Sequence, residues 1–267
     1  MGRATCFVAE DEGRVVGTLA AVVRDLMAPD GTPQRVAYLA DLRVAQSARG
    51  GRTLFRLARV AESWLRPMVE SAFSVVMDGT RATPLEYTGR AGLLEFRELA
   101  TVVVLRIPAG RLQRDASGTK YGEDGGEGEQ LFHELSTGRY ATAGGAAATR
   151  SAMAPVWLVR EDGAACGRLE DTRRAKRLWA DDGAELVSAH LSCFAFRTPG
   201  AGAELIHEAR HRCADLGLPA LFVAVAVQDA ASLQETLGDV GQTVAPATVF
   251  GAGIETGCPW NINTAEI

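Results

Sequence analysis

A chain of 267 residues has room for one large domain or two of modest size, and its 47% hydrophobic and 23% charged content is ordinary for a globular protein. The formal net charge of -5, with no strongly basic block, argues against a nucleic-acid binder. Five widely spaced cysteines (Cys6, Cys166, Cys193, Cys213 and Cys258) without a C-x-x-C argue against a disulfide framework or a zinc site, so no metal is expected. The start lacks a basic segment followed by an apolar one, and the longest apolar runs, 100–107 and 220–227, are strand-length. A cytoplasmic protein with free thiols and no membrane span is the expectation.

In chain order, residues 7–9 and 15–23 read as two strands around a turn at Asp11, Glu12 and Gly13. A breaker-rich loop over 27–33 follows. Residues 36–44 then form an apolar strand, a turn carries Arg49, Gly50, Gly51 and Arg52, and an amphipathic helix runs over 55–65. Its Leu54, Leu57, Ala58, Ala61 and Leu65 share one face at spacings of three and four. Pro67 closes that helix, and 73–77 is a further strand. Thr83 and Pro84 are N-cap and first residue of a short helix ending near Gly89 or Gly92. The β-branched run 99–107 is a strand stopped by Pro108. Residues 109–129, centred on a Gly, Asp and Glu cluster at 122–128, read as a flexible linker, and 144–148 as a second soft segment.

The Arg-Gly turn is the chemical centre of the first half. A helix entered through glycines offers free backbone N–H groups and the positive end of its dipole, and two arginines stand in the same turn. That suits a pyrophosphate. A P-loop would need Lys-Ser/Thr after its glycines and a dinucleotide fingerprint G-x-G-x-x-G, and neither is present. The stretch instead resembles the cofactor motif of the GNAT acetyltransferase superfamily, an L-x-V strand followed by R-G-x-G-x-G/A and a helix. Leu42 and Val44 fill the strand positions, and Arg49 and Gly50 the first loop positions. Arg52 and Leu54 stand where the family usually has Gly and Gly/Ala. The resemblance implies acetyl-CoA as cosubstrate, held by Leu42, Val44, Arg49, Gly50, Gly51, Arg52, Thr53 and Leu54. The family usually has a first strand and two helices before this point, so either the start is set too late or the second half supplies that wall.

The second half repeats the first. Residues 7–19 align without gaps to 157–169, with Gly17 against Gly167, and a strand over 184–196, a helix over 204–216, a strand over 221–227 and a short helix over 229–237 follow at nearly the same offset. The expected fold is thus α/β (mixed α+β): two tandem GNAT-like domains, 1–108 and 130–267, each a mostly antiparallel sheet flanked by helices. In the second copy Pro199 replaces the arginine, and Glu204 would repel an anion at the helix start. That copy reads as a structural or acceptor-binding partner.

For acyl transfer to an amine, two residues stand out. Asp41, just before Leu42, is either a partly buried carboxylate that relays the amine proton or an ion-pair partner for an arginine. Tyr87 resembles the family's proton donor to the departing thiolate, although it lies five residues before Gly92 where the family has four; otherwise it packs on the sheet. His207 and His211 share a helix face but lack a third ligand, so a solvated face is the simpler reading. Residues 260–267 alternate apolar and polar, as a last strand or as a tail docking on the other copy. The functional expectation is an acyl-CoA-dependent N-acyltransferase with a small-molecule or peptide amine as acceptor, homodimerisation being left open. Its rival is a catalytically silent GNAT-like module that binds acyl-CoA or scaffolds a partner.

Overall fold

The structure, a computed structural model, describes residues 3–89, 93–111, 119–122, 126–142, 150–180 and 182–267, which form two compact units. The first comprises residues 1–26, 33–100 and 247–258, the second 27–32, 101–246 and 259–267. The soft segment expected at 144–148 lies outside the described residues.

In the first unit β1 (Ala4–Asp11) pairs antiparallel with β2 (Arg14–Met27) around the acidic turn. Along β2 every second residue (Gly17, Leu19, Ala21 and Val23) is buried, the period of a strand with one face on a core. The strands β3 (Pro33–Val44) and β4 (Ala72–Met77) are parallel, joined by the helix α1 (Thr53–Leu65). That helix buries Leu57, Ala61 and Leu65, as its periodicity predicts. Each fully buried leucine contributes about 1.5–3 kcal/mol. The short α2 (Pro84–Tyr87) starts at Thr83, whose backbone N–H donates to the Glu86 carboxylate at 3.0 Å. The sheet order is β1-β2-β3-β4-β12, where β12 (Thr243–Ala252) joins antiparallel to β4 through residues 247–252.

In the second unit β8 (Val156–Arg160), β9 (Ala165–Glu170) and β10 (Ala189–Phe196) are antiparallel neighbours, and β10 is parallel to β11 (Ala220–Ala226). The last strand is β5 (Arg97–Pro108), antiparallel to β11 from Val102 to Pro108. The helices α4 (Pro199–Asp215) and α5 (Val227–Leu237) bring Leu205, Ile206, Ala209 and Leu233 onto the core formed with Leu105, Leu169, Leu191 and Val223. Against Trp157, Cys166 and Cys193 pack Leu131 and Phe132 of a further helix, α3 (Gly126–Leu135).

The strand expected to close the first copy, β5, therefore passes into the second unit at Thr101, and β12, late in the chain, returns to the first. Each strand follows the order of its own half in sequence but pairs in the other unit, so the units interleave rather than divide at 109–129. The β12 strand itself is not among the expected elements; Pro246 lies within it, before the residues that pair with β4. The flexible linker also needs correction. Residues 119–122 form β6 (Thr119–Gly122), antiparallel to β8, and α3 begins at Gly126. Gly128 is what brings α3 close: a Cβ there would lie 2.4 Å from two ring atoms of Trp157. Glycine that reads as flexibility here serves close packing. The strand expected over 184–196 begins only at Ala189.

Candidate functional site

The parallel pair in the first unit is short. Ala37 pairs with Ala72 and Tyr38 with Phe73, and no pair is registered further along. Three positions after Tyr38, Asp41 has φ 51°, a left-handed conformation that aspartate tolerates better than most residues. The residue acts as a bulge and shifts the side-chain alternation: Ala37 and Leu39 face the core on one side of it, Leu42 on the other. Its carbonyl accepts the Thr18 hydroxyl at 3.0 Å. Strand β3 beyond Leu39 is thus turned out of register with β4, and its C-terminal end leads toward the start of α1 in the chain.

Between them lies the Arg-Gly turn. A 3-10 turn over Gln46–Ala48 is followed by Arg49, whose Nε donates back to the Val44 carbonyl at 3.2 Å. Gly50 has φ 78°, which a residue with a Cβ adopts only under strain. Arg52 is the N-cap of α1 and makes no side-chain capping bond, so the first amides of the helix keep the donors that an anion can accept. Thr53 and Leu54 are half-buried, and Arg49, Gly50, Gly51 and Arg52 are exposed. Sequence reasoning missed the role of Gly17: a Cβ there would lie 3.0 Å from Thr53 Cγ2 and from Leu57 Cδ1. The glycine lets the first turn of α1 rest on β2, and its recurrence as Gly167 was the available signal.

Asp41 is not partly buried. Its side chain is 69% exposed, and the Arg43 guanidinium lies 3.9 Å away. Its side chain turns to solvent because the bulge has inverted the face it occupies. Tyr87 closes α2 and is half-buried; burial, with a smaller push from the Glu86 carboxylate, raises its phenol to about 12. Such a group stays protonated at neutral pH and donates a hydrogen bond, but releases its proton reluctantly. His207 Nδ1 lies 3.2 Å from Arg210 Nη1, and His211 is 3.5 Å from Asp215. Among the described residues no group of three His, Cys, Asp or Glu side chains could hold a metal, and no helix is long and apolar enough to cross a membrane.

The second unit contains a similar opening. Ala189 pairs with Leu221 and His190 with Phe222, and three positions after His190 stands Cys193, with φ 50°. Here too the alternation shifts, from Ala189 and Leu191 to Phe194. The helix that follows is closed to anions: the Thr198 hydroxyl caps α4 by accepting the Ala201 N–H at 3.2 Å, and Glu204 is paired with Arg160.

Residues 2–85 match the sequence model of the acetyltransferase (GNAT) family. No curated protein sequence matches the chain. Among solved structures, N-myristoyltransferase of Saccharomyces cerevisiae with bound myristoyl-CoA is similar over 95% of this chain and 72% of its own, at 11% identity and a TM-score of 0.59. A candidate acetyltransferase from Pyrococcus horikoshii is similar over 97% and 79%, at 13% identity and a TM-score of 0.60. A GCN5-related N-acetyltransferase from Anabaena variabilis is similar over 91% of this chain and 61% of its own, at 12% identity and a TM-score of 0.55. At such identities the likeness is one of fold.

Proposed function

We propose that this chain, whose residues 2–85 match the GNAT family model and whose fold resembles acyltransferase structures, is an acyl-CoA-dependent N-acyltransferase with its cosubstrate in the first unit. The observation that carries the reading is the opened β3/β4 pair, set directly before an uncapped helix start with Arg49 and Arg52 beside it. A pyrophosphate would rest on the amides of Gly51 to Leu54, with the two guanidiniums as counter-charges. The pantetheine arm would run along the freed edge of β3, and backbone N–H groups near Leu42 to Val44 would polarise the thioester carbonyl.

The reaction on this reading is direct transfer. The neutral amine of a small molecule or peptide adds to the thioester carbon, the oxyanion collapses, the C–S bond breaks, and the amide and CoA leave. The amine proton goes to solvent through water, and the CoA thiolate receives a hydrogen bond from Tyr87 and takes its proton from solvent water. The protein contributes mainly by positioning and by fixed dipoles.

The two units as products of one duplication belong to the same reading. Asp41 and Cys193 share their left-handed backbone, their distance from the last registered pair and the shift in alternation, and 37, 39, 41 and 42 correspond to 189, 191, 193 and 194.

The test is calorimetric titration of acetyl-CoA and of myristoyl-CoA into the protein and into an Arg49→Glu, Arg52→Glu variant, which leaves the backbone of the glycines untouched. Saturable binding weakened at least tenfold in the variant is the expected result. Equal binding by both proteins would remove the cosubstrate from this turn, and binding without turnover on an amine panel would leave the silent module in its place.

A further inference from the structure

The opening in the second unit is not empty. The last eight residues of the chain lie in it: β13 (Trp260–Asn261) pairs parallel with β7 (Tyr140–Thr142), and a 3-10 turn over Thr264–Glu266 follows. Trp260 is fully buried, and Asn263 is 2% exposed. The polar groups of this segment meet the opened strands one by one. The backbone N–H of Cys193, at the bulge, donates to Asn263 Oδ1 at 2.7 Å. Asn263 Nδ2 in turn donates to the Thr142 carbonyl at 3.0 Å. The Thr264 hydroxyl stands 3.0 Å from His190 Nδ1, on one diverging strand, and 3.4 Å from the Phe222 carbonyl, on the other. Farther in, Glu266 accepts from Arg150 Nη1 at 2.8 Å, and Arg150 also holds Glu170. What remains of the opening, between Phe194, Phe196, Ala224 and Asn261, is a cavity of about 10 Å³, room for no more than one water.

Parallel strands that part inside a protein leave backbone donors and acceptors that must find partners. In the first unit the bulge residue is exposed; in the second the chain supplies the partners itself. We propose that the segment Trp260–Glu266 is a built-in occupant of the second opening, which excludes any ligand from it and leaves one acyl-CoA site per chain. The mention of acyl-CoA rests on the function proposed above, whereas the occupancy does not. With Thr198 already capping α4, both the strand edge and the helix start of the second unit are satisfied from within.

The experiment is hydrogen exchange read by mass spectrometry, with no CoA thioester present, so its outcome is independent of whether the first unit binds one. An Asn263→Ala chain is compared with the unaltered protein, and a chain ending at Pro259 is measured with and without the synthetic octapeptide of residues 260–267. The expected result is an exchange rate at least tenfold higher over 189–196 in Asn263→Ala, with peptides of β3 and α1 unchanged, and restored protection when the octapeptide is added. Unchanged exchange over 189–196 in Asn263→Ala, or equal loss of protection in β3 and α1, would overturn the proposal. The Asn263→Ala comparison decides the matter even where the shortened chain does not fold.

Discussion

At Asp41 the backbone conformation and the side-chain charge can be separated by substitution. The left-handed φ is what turns β3 away from β4, and aspartate and asparagine both tolerate it, whereas a β-branched residue pays about 1–3 kcal/mol of strain there. Asp41→Asn, which removes only the charge, is therefore expected to keep acyl-CoA affinity and kcat within about threefold. Asp41→Val is expected to weaken binding tenfold or more, because the strand would relax toward regular pairing. Titration and initial rates on the two variants check this. A collapse of kcat in Asp41→Asn with intact binding would instead make the carboxylate the proton relay that its place before Leu42 first implied. The same logic applies at Cys193, whose thiol is buried and pushed up to about 12 by that burial. A thiol so placed is inert, and the residue serves the opening through its backbone N–H.

Among the elements, α3 illustrates how composition misleads when packing is close. Ten residues opening on Gly126 and Gly128 have little intrinsic helicity, and alanine at Gly128 would raise it by about 1 kcal/mol. The indole of Trp157, buried and covered by the Arg168 guanidinium at 5.5 Å, leaves no room for the added carbon. Overpacking costs about 1–3 kcal/mol, so the packing term exceeds the propensity term. Gly128→Ala is expected to lower stability by up to about 2 kcal/mol, measured as a fall in the denaturant midpoint at constant m. A more stable variant would mean that α3 moves freely on β8. The C-terminal segment makes a similar point. Its alternation reads as a last strand or a docking tail, and its Asn263 amide and Thr264 hydroxyl are the partners of buried strand groups.

For the whole molecule, the exchange of closing strands determines how the chain can be divided. The β5 strand completes the second unit and β12 the first, so a cut within 109–129 leaves each fragment carrying a strand that belongs to the other unit and lacking its own. Fragments 1–108 and 130–267 produced separately are expected to show no cooperative thermal transition, and to regain one when coexpressed. Independent folding of either fragment would show that its closing strand is dispensable. Periodicity and turn chemistry, which are local, were enough to place the strands on either side of the acidic turns, the face of α1 and the Arg-Gly turn. Strand pairing is non-local: an apolar run such as 99–107 fits any sheet edge of matching length, and only tertiary packing decided that it closes the second unit. Nor does a left-handed aspartate or cysteine carry a local signature, since its φ is imposed by the neighbours it satisfies. The sequence by itself therefore determined the strand–turn–helix unit around the Arg-Gly turn and most, though not all, of the strands and helices. The tertiary structure alone decided which strands complete each unit, where the paired strands open, and that the chain's own end fills the second opening.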